Sequence, residues 1–187
     1  MKKVFLFFSF LMAFSHLFAQ SKGSWFEIQA THSKSGFAAS LLNWNYTQYE
    51  SGWGFWNFNL VSDQWAEAVA GPMYGTKLKE TYFEFGIGVG IETDDNPLRG
   101  SSYVYTSSDK FWGLVNFEYG GSAEWYLGIF EFKINQIGLG VHAQEYASHG
   151  LRFSYTTKKM PIYMWIVPGY NLQGKEFALT FGLRYQP

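Results

Sequence analysis

The chain of 187 residues contains no cysteine. That excludes disulfide staples, thiolate metal sites and a lipid anchor carried on a cysteine. Charge is also scarce. Lys, Arg, Asp and Glu make up 16% of the residues, below the roughly 25% of an ordinary soluble domain. Neither sign dominates, so the basic surface that nucleic acid demands is missing. Beyond the first residues no apolar run approaches the ~18–20 residues of a spanning helix. Proline is rare, at five residues.

Aromatic residues are abundant instead, at 21%, with 8 Trp and 13 Tyr. The chain opens MKKVFLFFSFLMAFSHLFAQ. Lys2 and Lys3 form a positive start, Val4 to Phe14 a short apolar core, and Ala19 a small residue for cleavage. This pattern predicts a secretory signal peptide over residues 1–19, leaving one domain over residues 20–187. The mature chain keeps 12 basic residues against 15 acidic.

Period-two alternation fills the mature chain. Phe83, Phe85, Ile87, Val89 and Ile91 interleave with Glu84, Gly86, Gly88, Gly90 and Glu92. Segments around Trp56–Leu60, Phe111–Tyr119, Ile137–Ala143, Leu151–Tyr155 and Phe177–Tyr185 repeat the pattern. Alternation is the signature of strands, and no helical period of useful length competes with it. Turn clusters separate the runs, among them SKSG (33–36), YESG (49–52), GPMYG (71–75), TDDNPLRG (93–100) and PGYNLQG (168–174). They predict about twelve strands, with ten or eight as alternatives. Twelve strands of ~10 residues leave only tight turns.

A soluble sheet would show Lys, Glu, Thr and Arg on its polar face. Here that face is rich in Gly, Ala, Ser, Asn and Gln. The arrangement fits a sheet whose large apolar residues meet lipid and whose small or polar residues fill a lumen. Hydrocarbon tolerates no open sheet edge, so closure into an up-and-down antiparallel barrel is required. Tyr46, Tyr49, Trp53, Trp112, Tyr119, Trp125, Tyr126, Tyr146 and Tyr170 stand beside turns, where a girdle at the water interface belongs.

The last strand, FALTFGLRYQP, resembles the closing strand of Gram-negative outer-membrane β-barrel proteins, although Gln186 and Pro187 follow the terminal aromatic Tyr185. The resemblance implies residence in the cell outer membrane. It also implies contact with membrane lipid and lipopolysaccharide, and insertion by the outer-membrane assembly machinery. A monomer is expected, because a closed barrel satisfies its own backbone.

Glu27, Glu84, Glu92, Glu118, His142, Arg152 and Arg184 fall on the lumen face by parity and form the expected polar network. Buried charges there must be paired or hydrogen-bonded, with Arg152 and Arg184 answering some of the glutamates. The expected role is structural, or a narrow channel for small solutes. An alternative is an acyl hydrolase acting on envelope lipid, with Ser154 approaching His142 across a hairpin and a glutamate orienting the imidazole. The His-x-Ser-Asn motif of small outer-membrane lipid A deacylases is absent at His142 and at His149. A soluble secreted β-barrel binding protein is the other alternative. Asp94, Asp95 and Asn96 read as a turn. No catalytic residue, metal site or cofactor is expected.

Overall fold

Twelve period-two segments become strands: β1 (Gly23–Ser33), β2 (Gly36–Gln48), β3 (Trp53–Ser62), β4 (Ala66–Leu78), β5 (Thr81–Glu92), β6 (Leu98–Ser107), β7 (Phe111–Gly120), β8 (Ala123–Ile134), β9 (Ile137–Gln144), β10 (His149–Thr156), β11 (Ile162–Asn171) and β12 (Glu176–Tyr185). The computed structural model describes residues 23–63 and 65–186, so the expected signal peptide lies outside the described residues. Each strand pairs antiparallel with its sequence neighbours, and β1 pairs with β12 to close the barrel. Glu27 faces Arg184 and Thr31 faces Thr180 across that seam. Every strand therefore has two partners, and no row of backbone donors is left open.

The hairpins sort to two ends. The near end holds the start of β1, the end of β12 and the even-to-odd turns; the far end holds the odd-to-even turns. One expected break is displaced. Gly71–Gly75 runs inside β4, and the chain turns at Lys79–Glu80, where Lys79 takes a φ of 55°. Composition marked GPMYG as a turn, but pairing on both sides overrides it. Phe55 faces Pro72 on the β3 side, while the ladder to β5 lapses at Gly71 and Pro72. Proline has no N–H to give that ladder. The Ile87 carbonyl at the lapse instead accepts the indole N–H of Trp56 at 3.2 Å.

Over most of the circumference the large apolar residues point outward. On β5, Phe85, Ile87, Val89 and Ile91 are exposed, Val89 by 78%. β7, β9, β10, β11 and β12 follow the same rule, with outward Val115, Val141, Phe153, Ile166 and Phe181. β3 reverses it. Trp56, Phe58 and Leu60 were expected to meet lipid, yet they point inward and are buried, Trp56 completely. With Leu42, Trp44, Val69, Met73 and Tyr103 they form an apolar cluster inside the barrel. Trp44 stacks on Trp56 at 4.9 Å between centroids, and Tyr103 packs edge-on against both at 4.8 Å.

The reversal explains the inward glycines of β5. A Cβ at Gly86 would lie 2.1 Å from the Tyr103 ring, and one at Gly88 would lie 2.8 Å from the Trp56 ring. The glycine face and the aromatic face are two halves of one packing solution. Strand glycines weaken a sheet, and here they give that weakness up for two buried rings. The expected girdle needs correcting in the same way. Tyr49, Trp53, Tyr119, Tyr146 and Tyr170 are exposed near the rims, with Trp53 packed on Tyr74. Tyr46, Trp112 and Trp125 instead line interior cavities, because their strand parity outranks their nearness to a turn.

Candidate functional site in the barrel interior

Inward side chains among the described residues divide the lumen into separate spaces. A vestibule of about 410 Å³ opens at the near end, lined by Trp25, Tyr46, Tyr82, Glu84, Tyr163 and Arg184 among others. A second of about 360 Å³ lies at the far end, with Gln29, Ser62, Trp65, Arg99, Trp125 and Glu145 in its wall. Between them is a cavity of about 20 Å³ bounded by Glu27, Trp44, Phe58, Asn116, His142 and Arg184. That middle space has room for about one water.

Three arginines organise the polar side chains. Arg99, at the start of β6, meets carboxylates from β4, β5 and β7. Its Nε donates to Glu118 Oε2 at 2.8 Å and lies 3.0 Å from Glu67 Oε2, and its Nη1 donates to Glu92 Oε2 at 2.7 Å. Ser122 gives Glu92 both its backbone N–H and its hydroxyl, and Asn116 Nδ2 donates to Glu118 Oε1. Both Glu67 oxygens are buried, and Oε2 shares the Arg99 Nε with Glu118. Such a cluster stands only while its cation remains, because each uncompensated buried charge is strongly unfavourable.

Arg152 on β10 is completely buried. Its Nε donates to Glu131 at 3.2 Å, its Nη1 bonds His142 Nδ1 at 3.0 Å, and its guanidinium lies 4.0 Å from the Trp165 ring centroid. Guanidinium can only donate. His142 Nδ1 therefore accepts, and its Nε2 proton points to Gln144 Oε1 at 3.2 Å. Gln144 also accepts from Gln29 Nε2 at 2.9 Å, tying β9 across the lumen to β1. Arg184 on β12 donates to Glu27 at 2.7 Å and sits 4.2 Å from the centroid of the Trp25 ring.

The seven side chains read from sequence thus fall into separate groups. Glu92 and Glu118 meet at Arg99, His142 joins Arg152, and Glu27 joins Arg184. Glu84 takes hydroxyl protons from Tyr82 and Tyr103 at 2.7 and 2.6 Å. Sequence reading missed Arg99, Glu67 and Glu131. Arg99 had been absorbed into a turn that ends earlier than composition suggests, since β6 begins at Leu98. Glu67 shares inward parity with Val69, and Glu131 with Ile129, so alternation carried to the strand ends would have found both.

The proposed approach of Ser154 to His142 does not occur. Across the β9–β10 hairpin His142 faces Gly150, whereas Ser154 faces Gly138. Four residues separate those positions, roughly 13 Å along the strand. Asp94 caps its own turn by accepting the Asn96 backbone N–H. Among the described residues no group of His, Asp and Glu is arranged to hold a metal.

No protein-family model matches the chain, and no curated protein matches it. Solved structures do. The chain is similar to the KdgM porin at 11% identity and a TM-score of 0.56, covering 86% of this chain and 98% of that one. The same porin in complex with disordered oligogalacturonate gives a TM-score of 0.57. Outer membrane phospholipase A from Escherichia coli aligns at 9% identity and a TM-score of 0.53, over 87% of this chain and 89% of that one. The shared property is the fold, the closed antiparallel barrel of outer-membrane proteins.

Proposed function

We propose that this chain is a small outer-membrane barrel whose interior is a narrow conduit for small cations and neutral polar solutes. The observation that carries the reading is the sequence of spaces within a closed barrel: two vestibules with a water-sized cavity between them, bounded by Glu27, Asn116, His142 and Arg184 among others. The outward apolar belt supports residence in a bilayer. Membrane lipid with lipopolysaccharide would surround the belt, and the outer-membrane assembly machinery would insert it.

Charge favours one class of solute. The interior carries Glu27, Glu67, Glu84, Glu92, Glu118 and Glu131 against Arg99, Arg152 and Arg184. An excess of carboxylates attracts cations and repels anions. Oligogalacturonate, the ligand in the KdgM porin complex, is a polyanion, and this lining opposes such a substrate. Planar-bilayer recording of the purified barrel tests the proposal. Small conductance steps with a reversal potential shifted toward cations are expected. A preparation that folds and inserts yet gives no steps, or gives anion-selective steps, contradicts it.

A further inference from the structure

Where β3 turns its aromatic residues inward, it must turn asparagines outward. Asn57 and Asn59 on β3 face Asn45 and Asn43 on β2. The four amides form one outward-facing cluster, with Asn45 buried among the half-buried Asn43, Asn57 and Asn59. Asn45 Nδ2 donates to Asn43 Oδ1 at 2.6 Å and to Asn57 Oδ1 at 2.9 Å, Asn59 Nδ2 donates to Asn57 Oδ1 at 3.2 Å, and Asn43 Nδ2 donates to the Trp25 carbonyl at 3.1 Å. Register places the cluster within the apolar belt. The row toward the far end is Ile28, Leu41 and Val61; toward the near end come Phe55 with Pro72, then Trp53 with Tyr74. Beside the amides, β4 presents Ala68 and Ala70.

The internal bonds leave polar valences over. Within the cluster Asn57 Nδ2 gives no proton, and the Oδ1 atoms of Asn45 and Asn59 receive none. Hydrocarbon offers them no partner. A surface that carries spare amide donors and spare amide acceptors together is complementary to itself under a two-fold axis. Alanines at its edge allow close backbone approach, the arrangement that packs polar membrane-embedded surfaces.

We infer that the β2–β4 face is the contact through which two copies of this chain pair in the bilayer. The monomer expectation rested on backbone closure, which is silent on side chains. Asn57 Nδ2 of each copy donates to the spare Asn59 Oδ1 of the other, while Ala68 and Ala70 set the approach. A side-chain hydrogen bond in a bilayer contributes modestly, so each one lost weakens pairing by roughly three-fold.

The absence of cysteine allows a direct test. Ala70→Cys and Val141→Cys are made singly in the full chain, one on the asparagine face and one on β9, across the ring from β3. Both are oxidised in native membranes, with heat-modifiable gel mobility reporting that each is folded. A band of twice the monomer mass is expected for Ala70→Cys and not for Val141→Cys. Adding Asn57→Leu and Asn59→Leu to Ala70→Cys should remove that band while the barrel stays folded. A folded Ala70→Cys barrel that remains monomeric overturns the inference. So does equal crosslinking at both positions, or a crosslinked species whose mass requires a different protein.

Discussion

Two walls of one barrel obey opposite rules. Around β5, β9, β10 and β12, bulk faces outward and the lumen side is mostly glycine, small, polar or charged. Across β2 and β3, rings fill the lumen while amides face outward. Both are regular period-two strands, and both bury one face. The difference lies in what covers the other. Lipid accepts Val89 at no cost, whereas Asn57 in the same belt requires amide neighbours. Alternation therefore specifies that a strand has two faces; the partners across the barrel determine which one is inside.

Four experiments would break or sharpen this comparison, each read by urea-induced unfolding of the barrel in lipid vesicles. The largest effect belongs to the buried charge cluster on the β4–β7 side. Arg99→Met leaves Glu67, Glu92 and Glu118 without their cation and should cost about 3–5 kcal/mol. A loss under 1 kcal/mol would mean that those carboxylates are not held together by charge. Next come ring deletions on the two walls. Trp56→Ala opens a cavity inside the reversed wall, at about 3–5 kcal/mol, whereas Phe85→Ala on the ordinary wall should cost about 1–2 kcal/mol, since lipid fills the gap. Equal costs would erase the distinction between the walls.

How much of this was legible in the sequence follows from the same contrast. The outward Phe85, Ile87, Val89 and Ile91 were readable because Glu84 and Glu92 mark the opposite face as polar. On β3 the rings stand opposite asparagines, and a rule of bulk outward and amide inward gives the wrong answer. The deciding information is non-local: Gly86 and Gly88, some thirty residues on, provide the space that Trp56 occupies. GPMYG failed for a related reason, since nothing local shows that Trp56 would supply the hydrogen bond Pro72 lacks. Glu27, Glu92, Glu118 and Arg184 could be placed in the lumen by parity alone. Their sorting around separate arginines could not, because it depends on which strands meet across the barrel.

The smaller effects test the walls more finely. Val89→Arg should cost about 2–4 kcal/mol near the bilayer midplane, while Asn57→Leu in the isolated barrel should stabilise by about 1 kcal/mol. Opposite signs are the expected result, and a shared sign would show that both positions meet the same surroundings. Gly88→Ala adds a methyl 2.8 Å from the Trp56 ring and 2.9 Å from the Ala70 carbonyl. A cost of about 1–3 kcal/mol is expected. Most of it should vanish when Trp56→Phe is made in the same chain, provided the ring and not the backbone is the main obstacle.

The reversal of β3 inside a closed membrane barrel is tested most directly by labelling two adjacent residues. Asn59→Cys and Leu60→Cys are each given a nitroxide in the otherwise cysteine-free chain, diluted in lipid until the barrels are unpaired, and collision with lipid-soluble oxygen is compared with collision with a water-soluble metal chelate. The expected result is an oxygen-dominated signal at position 59 and a signal shielded from lipid at position 60, which faces the far vestibule. Oxygen dominance at position 60 with loss at position 59 would contradict the reversal, and water exposure at both would contradict the bilayer.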